Sequence, residues 1–458
     1  MSRSHWPGDL FDTHCHLHFR DFAHDLCQVV KQARDEGVRG ILIPSIDSES
    51  SRQSSRIAEE YMLWSAAGFH PNHLENASEE TFEEISHLSL LAQAAAVGET
   101  GLDYHRDRFP RERQRFWFSR HIELASALGL PLVVHSRDAG NEVLEMLPEE
   151  PGFPVVLHSW NGEVETTRRA VDRGYFLGIT GALTYRNSIL ARTLQHVPRK
   201  QVLVETDAPF LTPEPHRGRR NQPWLSTVTA GRIAMEWGIS VGETFHILWN
   251  NALRAFLLSP ENRRTHIVYP LGKSLYVNLT GKCNSSCVFC VRKFRDGIGG
   301  YHLRHRREPS REAVLSTLGV SGPSRFGEVV FCGYGEPTMR PDLLMEAAEV
   351  VAEAGGRTRL NTNGLCLDHL KPEEAEALLS RFNRVSVSLN ASGAGEYRRI
   401  CPNSCRDGWE SLMAFIRMLK KLAIPTVLTC VSGSGSDMPK VAALAERLEL
   451  PLKIRGGE

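Results

Sequence analysis

The sequence predicts an α/β protein made of two barrels in series. An eight-stranded β/α barrel (TIM barrel) is expected over residues 1–262, a linker over 263–273, and a six-stranded β/α partial barrel over 274–458. Three observations support this organisation. Eight short apolar runs alternate with helical patterns before residue 260, a polar segment interrupts the pattern at 259–264, and six further apolar runs follow.

Composition limits the classes of protein that need to be considered. Lys+Arg and Asp+Glu are equal at 54 each, so any site for a polyanion must be a local cluster. No apolar run reaches the ~18 residues of a membrane span, and residues 1–10 lack an apolar signal segment, so we expect no membrane partner and a cytoplasmic location. Of the ten cysteines, two precede residue 270 and eight follow it, which favours a local metal or redox use over a disulfide framework.

The first barrel is predicted from eight runs and one closing helix. The runs span residues 10–17, 38–46, 64–70, 95–104, 130–136, 154–160, 175–180 and 202–207. Eight β/α repeats in about 250 residues are typical of a TIM barrel, whose active site lies at the carboxyl ends of its strands. Residues 240–257 have the pattern of an amphipathic helix that closes the domain.

Side chains that bind metals occur at the ends of five of these runs. They are His14 and His16 of the first run, Glu99 of the fourth, His135 of the fifth, His158 of the sixth and Asp207 of the eighth. Alternate residues of a strand share one face, so the first two imidazoles can bind one ion. A lone HxH pair also fits two polar strand residues, and polar residues at strand ends can be scattered in loops. Convergence of all six at one barrel mouth favours a metal site.

Five ordered segments carry a resemblance to a known family. They are FDTHCH at 11–16, GFHP at 68–71, GETGLDYH at 98–105, VETDAP at 204–209 and HRGRRN at 216–221. Together they resemble the TatD family of metal-dependent deoxyribonucleases over residues 5 to about 258, which implies an amidohydrolase-like barrel and a two-metal hydrolase. The segment after His158 departs from the family, which often has Cys and Phe where this chain has Ser159 and Trp160, but the ligand itself is kept.

The resemblance also implies how the metals are held. One ion takes His14, His16 and Asp207, the second takes His135 and His158, and Glu99 bridges both. A carboxylate suits the bridge because each oxygen can bind one ion. Two ions about 4 Å apart can supply hydroxide near neutral pH and stabilise both oxygens of a phosphodiester displacement.

Glu99 and Asp207 are the predicted catalytic residues of this site, and Asp207 is the candidate to accept the proton of the attacking water. Imidazole-rich coordination favours Zn, Mn, Co or Ni over Mg, although family members are often assayed with Mg. The expected substrate is DNA or a nucleotide, cleaved as by an exonuclease. An amide or ester hydrolase remains the alternative, because the same chemistry attacks carbonyls.

Contacts to the substrate are predicted from residues after the strand ends. His70 and His105 can reach phosphate oxygens, although a structural role fits each histidine as well. Two arginine clusters are expected on the same face, where they either bind a nucleic-acid backbone without reading sequence or form a solvated surface. They are Arg106, Arg108, Arg111 and Arg113, and then Arg217, Arg219 and Arg220, of which Arg217 is the predicted substrate contact. No aromatic stacking platform is evident in the sequence.

The second barrel begins with a strand at 275–279 and a loop of pattern C-x3-C-x2-C, which contains Cys283, Cys287 and Cys290. Three thiolates can hold a [4Fe-4S] cluster whose fourth iron stays open to another ligand. Zinc bound by these thiolates and Cys332 is the alternative. Further strands are predicted at 329–338, 359–364, 385–390, 426–431 and 452–455.

The cysteine loop resembles the signature of radical S-adenosylmethionine (radical SAM) enzymes, with Phe289 as the aromatic residue before the last cysteine. The resemblance implies that Gly333, Gly335 and Glu336 hold the methionyl amine of S-adenosylmethionine. It assigns the ribose to two further residues, Asn363 and Ser388. It also implies reductive cleavage to a 5'-deoxyadenosyl radical, with an electron donor such as flavodoxin or ferredoxin.

The whole chain looks like a TatD protein fused to a TatD-associated radical SAM protein, and we expect it to be bifunctional. No residue identifies the hydrogen donor of the second reaction. Cys401 and Cys405 are interpreted as loop thiols and not as ligands of an extra cluster. The alternative for this domain is that it binds S-adenosylmethionine or senses iron without radical turnover.

Overall fold

The computed structural model describes residues 8–456, and the chain divides into two compact units after Arg264. Within the described residues, no helix is both long and apolar enough to cross a bilayer. Each unit is an α/β structure with its own sheet, so the predicted fold class is confirmed.

The first unit contains eight parallel strands that neighbour one another in chain order. They are β1 Leu10–Asp12, β2 Val38–Ile43, β3 Trp64–Ala67, β4 Ala94–Asp103, β5 Leu132–Arg137, β6 Val155–Leu157, β7 Phe176–Ile179 and β8 Val202–Val204. The amide of Thr13 donates to the carbonyl of Val204 (3.1 Å), and Cys15 forms a parallel bridge with Ala208. The sheet therefore curls until its first and last strands meet, as in a TIM barrel.

Nine helices surround these strands in the described part of the unit. They are α1 Leu26–Asp35, α2 Ser48–Tyr61, α3 Glu79–Leu88, α4 Arg111–Leu128, α5 Gly140–Met146, α6 Val164–Asp172, α7 Leu190–Leu194, α8 Ser226–Trp237 and α9 Val241–Ala255. Several of these helices begin at a residue whose side chain caps the first turn. Asp47 accepts a hydrogen bond from the amide of Ser50 (2.7 Å) at the start of α2, which is a capping box.

The predicted closing helix is α9, and its apolar face packs on the sheet. Phe11 of β1 lies 5.9 Å, centroid to centroid, from the stacked ring of Phe256, and 6.2 Å from Trp249. Aromatic pairs of this kind stabilise a core by about 0.5–1.5 kcal/mol beyond the area they bury. The buried core that joins the strands to α9 comprises Phe11, Leu42, Ala66, Ala95, Ala96, Val133, Val156, Leu203, Ala252, Ala255 and Phe256.

The second unit has one seven-stranded sheet and a small two-stranded one. In order across the large sheet lie β17 Leu452–Arg455, β16 Thr426–Val431, β15 Arg384–Ser388, β14 Thr358–Thr362, β13 Glu328–Phe331, β10 Ser274–Val277 and β9 Val268–Leu271. Six of these strands are parallel and match the six predicted runs, while β9 pairs antiparallel with β10. The small sheet pairs β11 Gly297–Ile298 with β12 Tyr301–His302.

Six helices cover the parallel strands in the described residues. They are α10 Arg311–Val320, α11 Pro341–Glu353, α12 Pro372–Leu379, α13 Ala394–Ile400, α14 Gly408–Lys421 and α15 Met438–Arg447. Strand, crossover helix and parallel strand repeat along the unit, which is the arrangement expected of a β/α partial barrel.

The segment predicted as a linker, 263–273, contains a strand in the structure. Strand β9 belongs to the second unit, because Tyr269 pairs with Tyr276 of β10 and their rings stack at 5.5 Å. Sequence reasoning missed the strand because Pro270 lies within it and only a tight turn at Gly272 separates it from β10, and both features are typical of a loop.

Candidate functional site

Side chains from five strands meet at the mouth of the first barrel. His135 lies in β5 and Glu99 in β4, whereas His158 directly follows β6 and Asp207 lies three residues beyond β8. Strand β1 ends at Asp12, earlier than predicted, but the Cys15 bridge continues the alternation, and the Nε2 atoms of His14 and His16 lie 3.2 Å apart. The structure thus brings all six predicted metal ligands to one end of the barrel.

Glu99 lies at the centre of this cluster and faces two sets of imidazoles. Its Oε2 is 3.3 Å from Nε2 of His14 and 3.7 Å from Nε2 of His16. Its Oε1 is 3.0 Å from Nδ1 of His135 and 3.4 Å from Nε2 of His158. Two ligands bound to one ion at about 2.1 Å are separated by about 3.0–3.4 Å. The donor set therefore fits one ion beside each oxygen of Glu99.

Asp207 completes the set on the Oε2 side. Its Oδ1 lies 3.5 Å from Nε2 of His16 and 3.9 Å from Nε2 of His14, and its amide donates to the carbonyl of His14 (2.9 Å). Asp207 adopts a left-handed backbone conformation (φ 55°), which Asp tolerates better than most residues. The turn after β8 thus holds this carboxylate against the HxH segment.

A bulge in β4 positions Glu99. The register between β4 and β5 shifts between Val97 and Thr100, and bulges of this kind re-aim a side chain. Gly101 permits the close approach of β5, because a Cβ atom there would lie 2.0 Å from the carbonyl oxygen of His135, and its φ is +136°. Glycine is therefore required two residues after Glu99.

Charge in the cluster is balanced between carboxylates and imidazoles. Burial opposes ionisation of Glu99, but the neighbouring histidines, His158 above all, hold its pKa well below the usual range. Burial lowers the pKa of His158, but Glu99 and Glu205 outweigh it and raise that pKa to about 10. Metal ions bind neutral imidazole and displace such protons, so the site has the negative charge that cations require.

Two carboxylates that sequence reasoning missed orient the histidines. Nε2 of His135 lies 3.3 Å from Oδ2 of Asp103, and Nδ1 of His158 lies 3.1 Å from Oε1 of Glu205. Each ring thus offers one nitrogen to the cluster and turns the other toward a buried carboxylate, which is the usual second partner of a metal-binding histidine. The sequence contained a signal for both carboxylates. Asp103 stands four residues from Glu99 and Glu205 two residues from Asp207, and residues an even number apart share one face of an extended chain.

We expect Glu205→Gln to lower metal affinity and hydrolytic rate by about 10- to 100-fold, because an amide still orients the His158 ring but raises its basicity as a ligand less than a carboxylate does. Isothermal titration with Mn²⁺ and initial rates measure the two effects. Glu165→Gln is the matched control, since the Glu165 side chain is 78% exposed on α6. Wild-type affinity in Glu205→Gln would show that the carboxylate has no influence on the metals.

His70 is the predicted substrate contact that lies nearest the cluster. Its Nδ1 accepts a hydrogen bond from the amide of Asn72 (3.0 Å), and burial holds its pKa well below the ordinary value. The neutral ring therefore carries its proton on Nε2, which lies 3.6 Å from Oε1 of Glu99. His70 is placed to donate a hydrogen bond at the cluster.

The other predicted contacts lie elsewhere. Nδ1 of His105 is 3.0 Å from Asp138, and the Arg217 guanidinium lies 4.2 Å over the Tyr185 ring. A cavity of about 430 Å³ adjoins the cluster of histidines and carboxylates, and neither His105 nor Arg217 is among the residues that line it in the described chain.

Most arginines of the two predicted clusters already have a partner within the first unit. Arg108 pairs with Glu75, Arg111 lies over Tyr104, Arg113 donates to the carbonyl of Leu74, and Arg220 forms a two-pronged pair with Asp25. Among the described residues of these clusters, Arg106 lines the cavity, together with Arg137, which sequence reasoning missed. Nearness in sequence did not reveal which guanidinium groups already had partners.

The cysteine loop of the second unit is held by backbone pairing with a distant segment. The amide of Ser286 donates to the carbonyl of Pro402 (2.7 Å), and that of Val288 donates to Ile400 (3.0 Å). Arg292 lies next to the loop and donates to the carbonyl of Ser285 (3.2 Å). The loop that carries the three cysteines is therefore anchored on both sides.

Cys401, interpreted from sequence as a loop thiol, contacts this loop directly. A hydrogen bond between the Cys287 and Cys401 thiols lowers the pKa of Cys287, and nearby Lys293 and Arg292 lower it further against the effect of burial. Burial raises the pKa of the Cys283 thiol to about 11. A metal that binds these sulfurs must therefore displace their protons.

The described residues of the second unit contain no preassembled group of thiols close enough to share one zinc ion. Four thiolates on one zinc ion lie about 3.8 Å apart at bond lengths of 2.3 Å. In the described residues, every group of three or more metal-binding side chains within 4.8 Å lies in the first unit, and none contains a cysteine. A cluster in which each thiolate binds a different iron does not require the thiolates to lie this close together.

The glycines predicted to admit a cofactor also serve packing. A Cβ atom on Gly333 would lie 2.1 Å from Oδ1 of Asn278, and one on Gly335 would lie 2.4 Å from the carbonyl oxygens of Thr280 and Lys282. Only glycine at these positions lets the end of β13 pack on the start of the cysteine loop.

Glu336 and Asn363 connect strand ends to the same loop. The buried Glu336 carboxylate accepts hydrogen bonds from Oγ1 of Thr362 (2.7 Å) and the amide of Asn363 (2.8 Å). Nδ2 of Asn363 donates to Oδ1 of Asn284 (2.7 Å). Of the remaining predicted cofactor contacts, Phe289 is half-buried within the loop and Ser388 is the half-buried last residue of β15.

A parallel eight-stranded barrel with four imidazoles and two carboxylates at the carboxyl ends of its strands defines a metal-dependent hydrolase. The chain belongs to the TatD-related DNase family, whose model matches residues 11–257. Residues 277–448 match the radical SAM superfamily model. Both resemblances found in the sequence are confirmed, and the chain is an enzyme that joins these two domains.

Several curated relatives and a solved structure match the first domain. The uncharacterised metal-dependent hydrolase YabD of Bacillus subtilis is 34% identical over 254 residues, which are 55% of this chain and 100% of YabD. The 3'-5' ssDNA/RNA exonuclease TatD of Erwinia tasmaniensis is 33% identical over 261 residues, 54% of this chain and 100% of its own length. The crystal structure of the TatD homologue YJJV from Escherichia coli covers 54% of this chain and 97% of YJJV, with 30% identity and a TM-score of 0.51.

Proposed function

We propose that the first domain is a two-metal phosphodiesterase that releases nucleotides from the end of a DNA strand. The observation that carries the proposal is the position of Glu99, whose two oxygens face separate sets of imidazoles. The relative in Erwinia tasmaniensis, named as a 3'-5' ssDNA/RNA exonuclease, supports this substrate class.

In this proposal His14, His16 and Asp207 would hold one ion, His135 and His158 would hold the second, and Glu99 would contribute to both. Bound ions would supply a nucleophile near neutral pH and neutralise charge on the phosphate. Asp207 is the base that takes the proton of the attacking water. The Nε2 hydrogen of His70 and the guanidinium of Arg106 bind phosphate oxygens at the cavity. Imidazole-rich ligands favour Mn, Zn, Co or Ni over Mg.

We propose that the second domain is a radical SAM enzyme whose [4Fe-4S] cluster is held by Cys283, Cys287 and Cys290. When bound, the cluster and S-adenosylmethionine supply a carbon radical that abstracts hydrogen. The chain's own contribution is to hold the loop through Ser286 and Arg292 and to link it to the end of β14 through Asn363. A flavodoxin or ferredoxin would donate the electron.

One preparation tests both halves. The full chain is purified anaerobically and analysed for divalent metals, iron and sulfide, and then assayed for nucleotide release and for 5'-deoxyadenosine. Release of acyl or amine products from esters or amides, with no nucleotide release, would favour the carbonyl hydrolase alternative. An iron-loaded, reduced protein that forms no 5'-deoxyadenosine would favour a binding or sensing role for the second domain.

We expect Asp207→Asn to lower the rate of phosphodiester hydrolysis by about 10²- to 10⁴-fold, because an amide cannot accept the proton of the attacking water. Initial rates and metal content are measured on the same sample. Asp9→Asn is the control, since the Asp9 side chain is 58% exposed near Arg39. A variant that keeps both metals and near-normal turnover would exclude Asp207 as the base.

A further inference from the structure

Two phenylalanines form an apolar wall beside the metal cluster. Phe19 follows the HxH segment and Phe210 follows Asp207, and both line the cavity of about 430 Å³ that also contains Glu99. Sequence analysis found no stacking platform here, because the two residues lie far apart in the chain and meet only when β1 and β8 close the barrel. Phe210 remains 54% exposed in the described structure.

The exposed ring is held on a fixed backbone. The amide of Phe210 donates to the carbonyl of Asp207 (2.8 Å), and Nδ2 of Asn221 donates to the carbonyl of Phe210 (2.6 Å). The Phe19 ring stacks on His16 at 4.8 Å with an interplanar angle of 5°, and meets Phe210 edge-on at 5.9 Å and 71°. Two site residues, His16 and Asp207, thus determine where the Phe210 ring stands.

An aromatic face fixed beside a phosphodiester-cleaving centre matches one ligand group, a nucleobase. A base next to the bound phosphate is tethered within a few bonds of it, and every base has an aromatic face, so stacking is tolerant of sequence. Stacking of one base on an aromatic side chain changes binding by about 5- to 150-fold.

We propose that Phe210, oriented by Phe19, is the stacking platform for the base of the terminal nucleotide whose phosphodiester is cleaved. This inference rests on the proposed phosphodiesterase function and adds a specificity residue to it. Because a paired base is already stacked within its helix, the platform selects unpaired ends, and a duplex end must fray before it is cleaved.

The test compares two single-stranded oligonucleotides that differ only in whether the terminal nucleotide carries a base or is abasic. With Mn²⁺-loaded full chain we expect kcat/KM to favour the base by about 5- to 150-fold. In Phe210→Ala the ratio should fall to near one, whereas Phe210→Trp should retain it. Phe116→Ala is the matched control, because Phe116 is 49% exposed and lies outside the cavity lining.

A binding measurement gives a second readout that does not depend on turnover. Stacking should quench the fluorescence of a terminal 2-aminopurine on a short oligonucleotide with wild type and Phe116→Ala, and Phe210→Ala should lose the quenching. Thermal melts of Phe210→Ala and Phe210→Leu check folding, which we expect to be unchanged for a half-exposed ring.

The outcomes separate the two proposals. Metal-loaded wild type that cleaves neither oligonucleotide overturns the phosphodiesterase function and the platform with it. Wild type that cleaves both equally, or a Phe210→Ala variant that keeps the wild-type ratio and quenching, overturns the platform alone. A Phe210→Ala variant that slows both substrates equally also overturns it, since the loss would then be structural.

Discussion

Replacing Glu99 by glutamine is expected to abolish stoichiometric binding of both metal ions and to lower hydrolysis by about 10³-fold or more. An amide keeps one oxygen as a ligand but removes the second and the negative charge, so it cannot face both His14 and His135 as an acceptor. Losing several kcal/mol of charge stabilisation corresponds to a rate change of this size. Metal analysis by mass spectrometry and nucleotide release on the same sample measure the two effects.

The control is Glu123→Gln, which makes the same chemical change where the side chain is 66% exposed on α4. It should retain metals and rate. The decisive comparison is with Glu205→Gln. The Glu205 carboxylate orients one histidine, so its replacement should lower metal binding and rate far less than Glu99→Gln does. If Glu99→Gln kept two ions per chain at the wild-type rate, the bridge would lie elsewhere.

Replacing Cys290 by alanine is expected to reduce bound iron from about four atoms per chain to less than one and to abolish 5'-deoxyadenosine formation. The cubane needs three thiolates on three irons, and the loop offers no spare ligand of the same spacing. Iron and sulfide analysis after anaerobic reconstitution, followed by product chromatography, measures this. Cys283→Ala and Cys287→Ala should behave alike.

Cys405→Ser is the matched control, because this thiol lies outside the C-x3-C-x2-C loop and was interpreted as a plain loop residue. It should bind iron and form 5'-deoxyadenosine as wild type does. Loss of iron in Cys405→Ser would mean that this cysteine is a ligand. Full iron loading in Cys290→Ala would exclude the three-thiolate cluster.

The prediction from sequence succeeded where local patterns repeat. The eight runs before residue 260 became eight parallel strands, because alternation of apolar strands with amphipathic helices leaves few ways to bury both. The amphipathic pattern at 240–257 became α9 Val241–Ala255. It failed at β9, a four-residue strand that contains Pro270 and forms a hairpin with β10, because proline is rare inside strands.

The site shows the same division. The six candidate metal ligands were predicted to meet because each stands at a strand end, and a barrel brings its strand ends together. The arginine clusters were not resolved by sequence, since salt bridges such as Arg108 with Glu75 form between separate loops. The contact of Cys401 with Cys287 was missed as well, because it also joins two segments that are distant in the chain.

What the sequence determined by itself was the kind of ligand and its place in the order of strands, because residue type and strand period are local properties of a chain. Which oxygen of Glu99 faces which histidine, which carboxylate steadies each ring and where Phe210 stands were decided by the tertiary structure. Those relations depend on the β4 bulge and on the meeting of β1 with β8, where residues nearly two hundred positions apart approach within hydrogen-bonding distance.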